Sequence, residues 1–499
     1  MNDDAFVHPL DEHNKRLLSH VRPEGWRNPD PAPLYDLVVI GGGTAGLVCA
    51  VGAAGLGARV AILERALLGG DCLHTGCVPS KALLRAARAV REARSAAAVG
   101  VRMNSQVDFA AVMRAVRARR ADLAHHDSAA RLTSLGVDVF FGDASFSGAR
   151  TVRVSGSALR FRRAVIATGG RPFIPAVPGL AHVPFLTTEN VFSLTEQPGS
   201  LLVIGGGPVG CEMAQAFGLL GTAVTLVETG PRILPHEDAE AGEILQRQLI
   251  GDGVRIETAM TLREIAARPR LGGVTARFDG GAIDADAVLV ATGRLSNVET
   301  LNLEAADVRH HERRIRVDEW LRTSNHRIYA AGDVCSRFHF THAADAMARI
   351  VVQNALFPGG RRASALVIPW STYTFPEVAH VGLAPVDAVR SGAQPVTISL
   401  ADVDRAVIDG ESEGFLRVHH KRGRIVSATI VAPRAGELIG YVALMMRRRA
   451  SLAELSYEIF PYPTLAEALR KAGDQYRRAQ LTPRVRRLLR RYLALVRGR

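Results

Sequence analysis

The feature that most constrains how this chain folds is a strand–turn–helix–strand unit that occurs twice. In the first copy a short apolar strand, Tyr35 to Ile40, passes directly into Gly41-Gly42-Gly43-Thr44-Ala45-Gly46. An Ala-, Val- and Gly-rich helix follows over Leu47 to Leu56, and a second strand, Val60 to Leu63, ends in Glu64. Gly41 permits the tight turn, Gly43 lets the backbone approach a pyrophosphate, and Gly46 lets helix and strand pack closely. The helix N-terminus then faces the phosphates, and Glu64 accepts from a ribose. The second copy runs Leu201 to Ile204, then Gly205-Gly206-Gly207-Pro208-Val209-Gly210, with Glu212 on the helix and a strand, Ala223 to Val227, ending in Glu228. Gly205, Gly207, Gly210 and Glu228 are thus the second set of dinucleotide contacts. Two copies imply two dinucleotides, and an enzyme that brings two redox dinucleotides face to face is the economical explanation.

Just after the first copy lies Gly69-Gly70-Asp71-Cys72-Leu73-His74-Thr75-Gly76-Cys77-Val78-Pro79-Ser80-Lys81. Its two cysteines, flanked by glycines and followed by a proline and a lysine, read as a redox-active dithiol held against a flavin. A thiolate is the attacking species, and a cysteine with an ordinary pKa of about 8.5 needs a cation or a helix N-terminus to ionise at neutral pH. Pro79 suits the first turn of a helix starting beside Cys77. The other three cysteines, Cys49, Cys211 and Cys335, read as small core residues. They are too few and scattered for a secreted disulfide framework.

Other strands close on Ala167-Thr168-Gly169 and Ala291-Thr292-Gly293-Arg294, and Ile328 to Ala331 ends in Gly332-Asp333, where the acid suits a sugar or ribityl hydroxyl. Phe340-Thr341-His342-Ala343 opens a helix running to Phe357, whose N-terminal dipole suits a flavin's electron-rich carbonyl edge. Residues 1–33, polar and then Pro-rich, read as an irregular arm, and most of 83–130 as helix. After Pro358 the pattern becomes strands at Val396 to Leu400, Gly414 to Val418 and Ile425 to Ala432, with helices at 435–449 and 464–478, a separate α+β domain.

With 47% hydrophobic and 22% charged residues the composition is that of a soluble globular protein. No apolar run approaches the roughly 18 residues of a membrane helix. The N-terminus, with Asp3, Asp4, Asp11 and Glu12, does not have the form of a signal peptide, so a cytoplasmic location is expected. The net charge of +13 is concentrated at the C-terminus, where ten arginines and one lysine from Arg470 onward face a single acid, Asp474. That distribution argues against a nucleic-acid surface. Two readings of the tail stand side by side: a solvated or dimer-packed terminal helix, and a basic amphipathic helix in peripheral contact with an anionic membrane. No resident metal site is read from the sequence.

Taken in order, Gly41/Gly43/Gly46, Gly70-x-Cys72-x4-Cys77-Val78-Pro79-Ser80-Lys81, Ala291-Thr292-Gly293-Arg294 and Ala331-Gly332-Asp333 resemble the class I pyridine nucleotide–disulfide oxidoreductases, among them dihydrolipoamide dehydrogenase, glutathione reductase and mercuric reductase. The resemblance covers about residues 34–475. It implies an α/β chain with two Rossmann-like dinucleotide-binding domains, an FAD domain (34–197 and 298–363) interrupted by an NAD(P)H domain (198–297), and a C-terminal α+β dimerisation domain (364–478). The arm (1–33) and the basic amphipathic tail (479–499) flank them. A homodimer, FAD and NAD(P)H follow from the same resemblance.

By that resemblance, Glu64 holds the FAD ribose and Asp333 the ribityl chain, with Gly70, Thr168, Gly169, His342 and Ala343 also beside FAD and Gly293 beside the nucleotide. Cys77 is the thiol in charge-transfer contact with the flavin, Cys72 the interchange thiol, and Lys81, paired with Glu212, lies at the flavin N5 edge. Hydride passes from nicotinamide to flavin, and electron pairs from flavin to the Cys72–Cys77 disulfide. The carboxylate of Glu228 favours a free ribose 2′-hydroxyl and so NADH over NADPH.

One segment departs from the disulfide reductases. Their His-Pro-Thr-x-x-Glu motif is here Tyr462-Pro463-Thr464-Leu465-Ala466-Glu467, and a phenol with a pKa near ~10 is a poor proton acceptor at neutral pH. Mercuric reductase also carries a tyrosine there, and a soft metal ion between two thiolates needs less proton shuttling. That enzyme ends in a vicinal cysteine pair, whereas no cysteine follows Cys335 here. The expected substrate is therefore a thiophilic metal ion or a small disulfide. The alternatives are a dihydrolipoamide dehydrogenase-like reductase, an NADH oxidase or quinone diaphorase, and a flavin redox sensor without turnover.

Overall fold

The computed structural model describes residues 7–103, 106–268, 272–312 and 314–498, so Asp3 and Asp4 lie outside the described residues. The chain divides into two compact bodies, Met1–Thr229 with Asp252–Leu366, and Gly230–Gly251 with Val367–Arg499.

The helices of the first body are α1 (Glu12–Val21), α2 (Thr44–Gly55), α3 (Gly70–His74), α4 (Cys77–Ser95), α5 (Phe109–Leu123), α6 (Ala129–Ser134), α7 (Pro208–Leu220) and, after α8 (Ala239–Gly251) of the other body, α9 (Thr341–Leu356). Its main parallel sheet orders the strands Val137–Phe141, Val60–Glu64, Tyr35–Ile40, Ser157–Ile166 and Ile328–Ala330. Leu37, Val38 and Val39 are fully buried, because a parallel sheet covered on both faces has no wet side to alternate with. The strand order reverses direction at Tyr35–Ile40, so the crevice beyond its carboxyl end gathers the loops starting at Gly41, Ala167 and Ala331. The backbone closes that gathering: Ala167 N–H donates to Ile40 O and Ala331 N–H to Ile166 O.

The second sequence copy builds a second parallel sheet, Arg255–Glu257, Ala223–Val227, Ser200–Ile204 and Ala287–Val290, with α7 after its first glycine turn. The two copies agree at the level of single atoms. Gly41 and Gly205 have φ of +106° and +112°, open to glycine alone without strain. A Cβ on Gly46 would lie 1.9 Å from Gly41 O, and one on Gly210 1.9 Å from Gly205 O. In both, the middle glycine N–H donates to a carboxylate 22 residues on: Gly42 to Glu64 at 2.6 Å and Gly206 to Glu228 at 2.7 Å.

The N-terminal arm is not irregular throughout. Asp11 caps α1 by accepting from Asn14 N–H, and Asn14, Leu17 and Val21 are buried against the body. The prolines that suggested an irregular arm begin at Pro23, beyond this helix. Two buried arginines of α5 receive α1: Arg117 Nε pairs with Asp11 at 2.6 Å, and Arg120 donates to Asn14 Oδ1 at 2.7 Å and to His74 O at 2.9 Å. An Ala- and Arg-rich helix thus turns two of its cations inward, where each meets acceptors.

The second body contains α8 (Ala239–Gly251), α10 (Pro385–Arg390), α11 (Asp404–Ile408), α12 (Ala435–Arg448), α13 (Glu467–Ala479) and α14 (Pro483–Arg497). Its antiparallel sheet orders Pro369–Thr372, Glu377–Gly382, Arg424–Ala432, Phe415–Lys421 and Gln394–Ser399. Ile430, Leu416, Ile439 and Leu469 belong to the core between this sheet, α12 and α13. Arg417 joins the α8 segment to the sheet through Asp238 at 2.7 Å and Glu240 at 2.5 Å. No helix among the described residues is long and apolar enough to cross a membrane.

Candidate active site

The dithiol segment is pinned to the first glycine turn. Gly69 N–H donates to Gly42 O at 2.8 Å, and Gly70, at φ +58°, packs so closely that a Cβ would lie 2.6 Å from Gly43 Cα. Cys72 sits in α3 and Cys77 is the first residue of α4; both are free thiols, Cys72 half-buried and Cys77 exposed. The residue before Cys77 is Gly76, and no side chain caps α4, so Cys77 stands in the first turn of a helix whose positive dipole end is uncapped by a side chain.

The structure brings Cys72, Cys77, Lys81 and Glu212 together. The Cys77 thiol is lowered to about 6, chiefly by its hydrogen bond with Cys72, against burial, and further by the Thr341 hydroxyl and the Lys81 charge. Cys72 is raised, first by that same hydrogen bond to Cys77 and then by burial. The two sulfurs are thus split into one thiolate and one thiol. Lys81 Nζ meets Glu212 Oε2 at 2.8 Å, joining the dithiol helix α4 to α7 of the second glycine unit, with the Glu212 side chain only 6% exposed.

No site role is read from the sequence for Thr341, Arg294 or Asp127, whereas Asp333 is singled out there. Thr341 Oγ1, at the start of α9, lies 3.3 Å from Cys77 Sγ although 264 residues away. Arg294 bonds Asp71 and contacts Asp333 at 3.2 Å, linking the residue before Cys72 to the acid expected at the ribityl chain. Burial raises the Asp333 carboxyl, with Arg294 opposing. Beside Cys72 a cavity of about 260 Å³ is lined by Thr44, Leu47, Leu73, Val78, His126 and Asp127, and burial raises Asp127.

The glycine turns fit dinucleotides. A Cβ on Gly43 would touch only Gly70 Cα at 3.6 Å, and one on Gly207 nothing within 4 Å. Protein packing therefore does not demand glycine at either place, whereas a pyrophosphate lying against the backbone does. No side chain caps α2, α7 or α9, so their first N–H groups face these crevices. His342 and Ala343 lie in the first turn of α9. Thr168 Oγ1 donates to Asn297 O at 2.7 Å, and Gly169 and Gly293 hold positive φ at the carboxyl ends of their strands. Glu64 uses one oxygen on Gly42 N–H and the other on Ala66 N–H, each keeping a free lone pair for a hydroxyl. Cys49 and Cys211 are buried, and burial pushes the Cys335 thiol up to about 12.

Tyr462 and Glu467 belong to the other body. Tyr462 is 71% exposed and donates to Asp404 Oδ2 at 2.9 Å, a bond that raises its pKa further. Glu467 accepts from Arg470 at 2.8 Å, while its second oxygen is buried without a hydrogen-bond partner among the described residues.

Two dinucleotide folds around a dithiol at a helix N-terminus define a flavin-linked disulfide oxidoreductase, and the chain belongs to the pyridine nucleotide-disulphide oxidoreductase family, whose sequence profile matches residues 35–348. The family's dimerisation domain matches residues 368–473. A mercuric reductase of Staphylococcus aureus is 34% identical over 447 residues, 88% of this chain and 82% of that protein. A dihydrolipoyl dehydrogenase of Chlamydia muridarum is 32% identical over 454 residues, 87% of this chain and 95% of that protein. Among solved structures, the HOCl-induced flavoprotein disulfide reductase RclA of Escherichia coli is similar with a TM-score of 0.79 and 28% identity, covering 88% of this chain and 99% of that one. Its Cu(II) complex gives 0.79 and 27%, covering 89% of this chain and 100% of that one. The family uses FAD and a pyridine nucleotide, and the chain is an enzyme of that class.

Proposed function

We propose that the chain takes electron pairs from NADH, through FAD, into the Cys72–Cys77 disulfide and delivers them from Cys72 to a thiophilic metal ion, with a small disulfide as the second acceptor. The observation that carries this reading is the split pair: an exposed low-pKa Cys77 at the α4 N-terminus beside Thr341 and Lys81, and a Cys72 that opens onto its own cavity. FAD, when bound, supplies the two-electron relay between nicotinamide and sulfur.

Within that scheme Cys77 is held as thiolate by its hydrogen bond with Cys72, by Thr341 and by Lys81, ready to leave as the disulfide is reduced. Glu212 fixes Lys81, and Arg294 holds Asp71 and thereby the segment before Cys72. Reduction of the disulfide by two electrons and one proton gives the Cys77 thiolate and the Cys72 thiol. A bound soft divalent cation displaces the remaining proton, and the two electrons released as the dithiolate closes again to the disulfide reduce the cation. The metal reading rests on the mercuric reductase relatives and on Tyr462, which is a poor base for thiol–disulfide exchange. The dihydrolipoyl dehydrogenase relatives support the disulfide as second acceptor.

Residues 34–197 and 298–363 form the FAD domain, 198–297 the nucleotide domain and 364–478 the subunit interface of a cytoplasmic homodimer. NADH preference rests on Glu228, together with Arg232, whose donors are taken by the carbonyls of Leu234, Pro235 and Glu237 rather than held for a 2′-phosphate. The test is anaerobic reduction with NADH followed by thiol counting, then turnover with Hg(II), Cu(II), lipoamide, glutathione disulfide and quinones. The expected result is two new thiols per chain and turnover with a metal ion that Cys72→Ser abolishes. Wild-type metal turnover in Cys72→Ser overturns the proposal.

A further inference from the structure

Helix α14 has no buried residue, and its two faces are sorted by chemistry. At 3.6 residues per turn, Val485, Leu488, Leu489, Tyr492, Leu493 and Val496 fall within an arc of about 140°, and Leu495 at its edge. Arg484, Arg486, Arg487, Arg490, Arg491 and Arg497 occupy the opposite arc of about 160°. The apolar side chains face solvent, Leu488 at 68% and Tyr492 at 61% exposure. No acid occurs after Asp474, so no i,i+4 partner exists on the helix for these cations. Thr482 caps the N-terminus and Pro483 follows it, so the helix is specified locally rather than by packing on the body. The family's dimerisation match ends at residue 473, before this segment begins.

The occupant of such a face must take up apolar side chains in a strip and offer negative charge along both edges. A second α14 meets the first need and fails the second, because Arg484, Arg486 and Arg491 border the apolar strip and would oppose their own copies. A folded acidic protein would have to present an apolar groove lined with carboxylates on both rims. An anionic bilayer meets both needs along the whole helix: acyl chains below the headgroups and phosphates beside every arginine.

We propose that α14 is an interfacial anchor that docks the FAD-loaded enzyme on an anionic lipid surface, lying in the headgroup plane with its leucines inward.

The test is sedimentation of the full-length, FAD-loaded protein with vesicles of phosphatidylcholine alone or mixed with phosphatidylglycerol. Anionic vesicles are expected to pellet the enzyme at least roughly tenfold better than neutral ones, with release in about 0.5 M salt as the charges are screened. Arg487→Gln with Arg490→Gln and Arg491→Gln, and separately Leu488→Glu with Leu489→Glu, each lose most of that binding while soluble-acceptor turnover is unchanged. Equal binding to both vesicle types, no binding to either, or wild-type binding by the leucine variant overturns the proposal. A loss of dimer in either variant, read by sedimentation velocity in the absence of lipid, assigns the helix to the subunit interface and overturns it as well.

Discussion

At the residue scale the chemistry turns on how one hydrogen-bonded pair of sulfurs is made unequal. Cys77 is lowered to about 6, so in the reduced protein its thiolate is present above that pH and lost as pH falls through it. Lys81→Met removes a cation that favours the charged form, so the midpoint rises by about one unit toward the ordinary thiol value. The pH profile of iodoacetamide alkylation at Cys77 in the reduced protein with Cys72 intact, the labelled peptide identified by mass, reads it, and an unmoved midpoint contradicts the role given to Lys81. At the nucleotide site, Glu228→Ala removes a charged acceptor, and the preference for NADH over NADPH is expected to fall roughly tenfold in kcat/KM.

At the element scale the glycine turns separate what folding needs from what the ligand needs. Gly46→Ala drives a Cβ into the Gly41 carbonyl and is expected to cost about 3 kcal/mol or more in urea unfolding. Gly43→Ala meets almost nothing in the protein and is expected to leave unfolding of the apoprotein nearly unchanged while FAD affinity drops. A Gly43→Ala apoprotein as unstable as Gly46→Ala contradicts the distinction. These turns, their helices and the dithiol segment were legible in the sequence because each is a local pattern of special backbone needs. Helix α1 was not: prolines from Pro23 onward dominated the composition of the arm, and its cap, Asp11, reads as one of four acids near the N-terminus rather than as a helix start. Nor was the inward turn of Arg117 and Arg120, since an arginine on an alanine-rich helix reads as solvated until the acceptors at Asp11, Asn14 and His74 are brought to it. Thr341 reaches Cys77 only through the packing of α9 on α2, across a sequence gap no window spans.

At the scale of the whole molecule, the second body leaves Tyr441, Leu444, Tyr457 and Ile459 exposed, Ile459 at 95%, within the segment matched to the dimerisation domain. Such side chains ask for a protein surface, and Glu467 keeps a buried oxygen that no group among the described residues satisfies. Ile459→Asp is expected to yield a monomer by sedimentation velocity and to lose turnover with metal ion or disulfide while keeping NADH-to-quinone activity. A dimeric Ile459→Asp protein removes this surface from the interface.

The Lys81–Glu212 pair carries a kinetic corollary. It ties the helix bearing Cys77 to the helix that opens the second nucleotide turn, and Glu212 is so deeply enclosed that parting it from Lys81 carries a marked penalty. The two crevices are therefore held in register before either is filled, and no hinge closure has to precede electron transfer. Turnover should then be indifferent to the friction of the solvent: raising viscosity with sucrose is expected to leave the reductive half-reaction unslowed, as befits a relay whose stations are fixed rather than swung together.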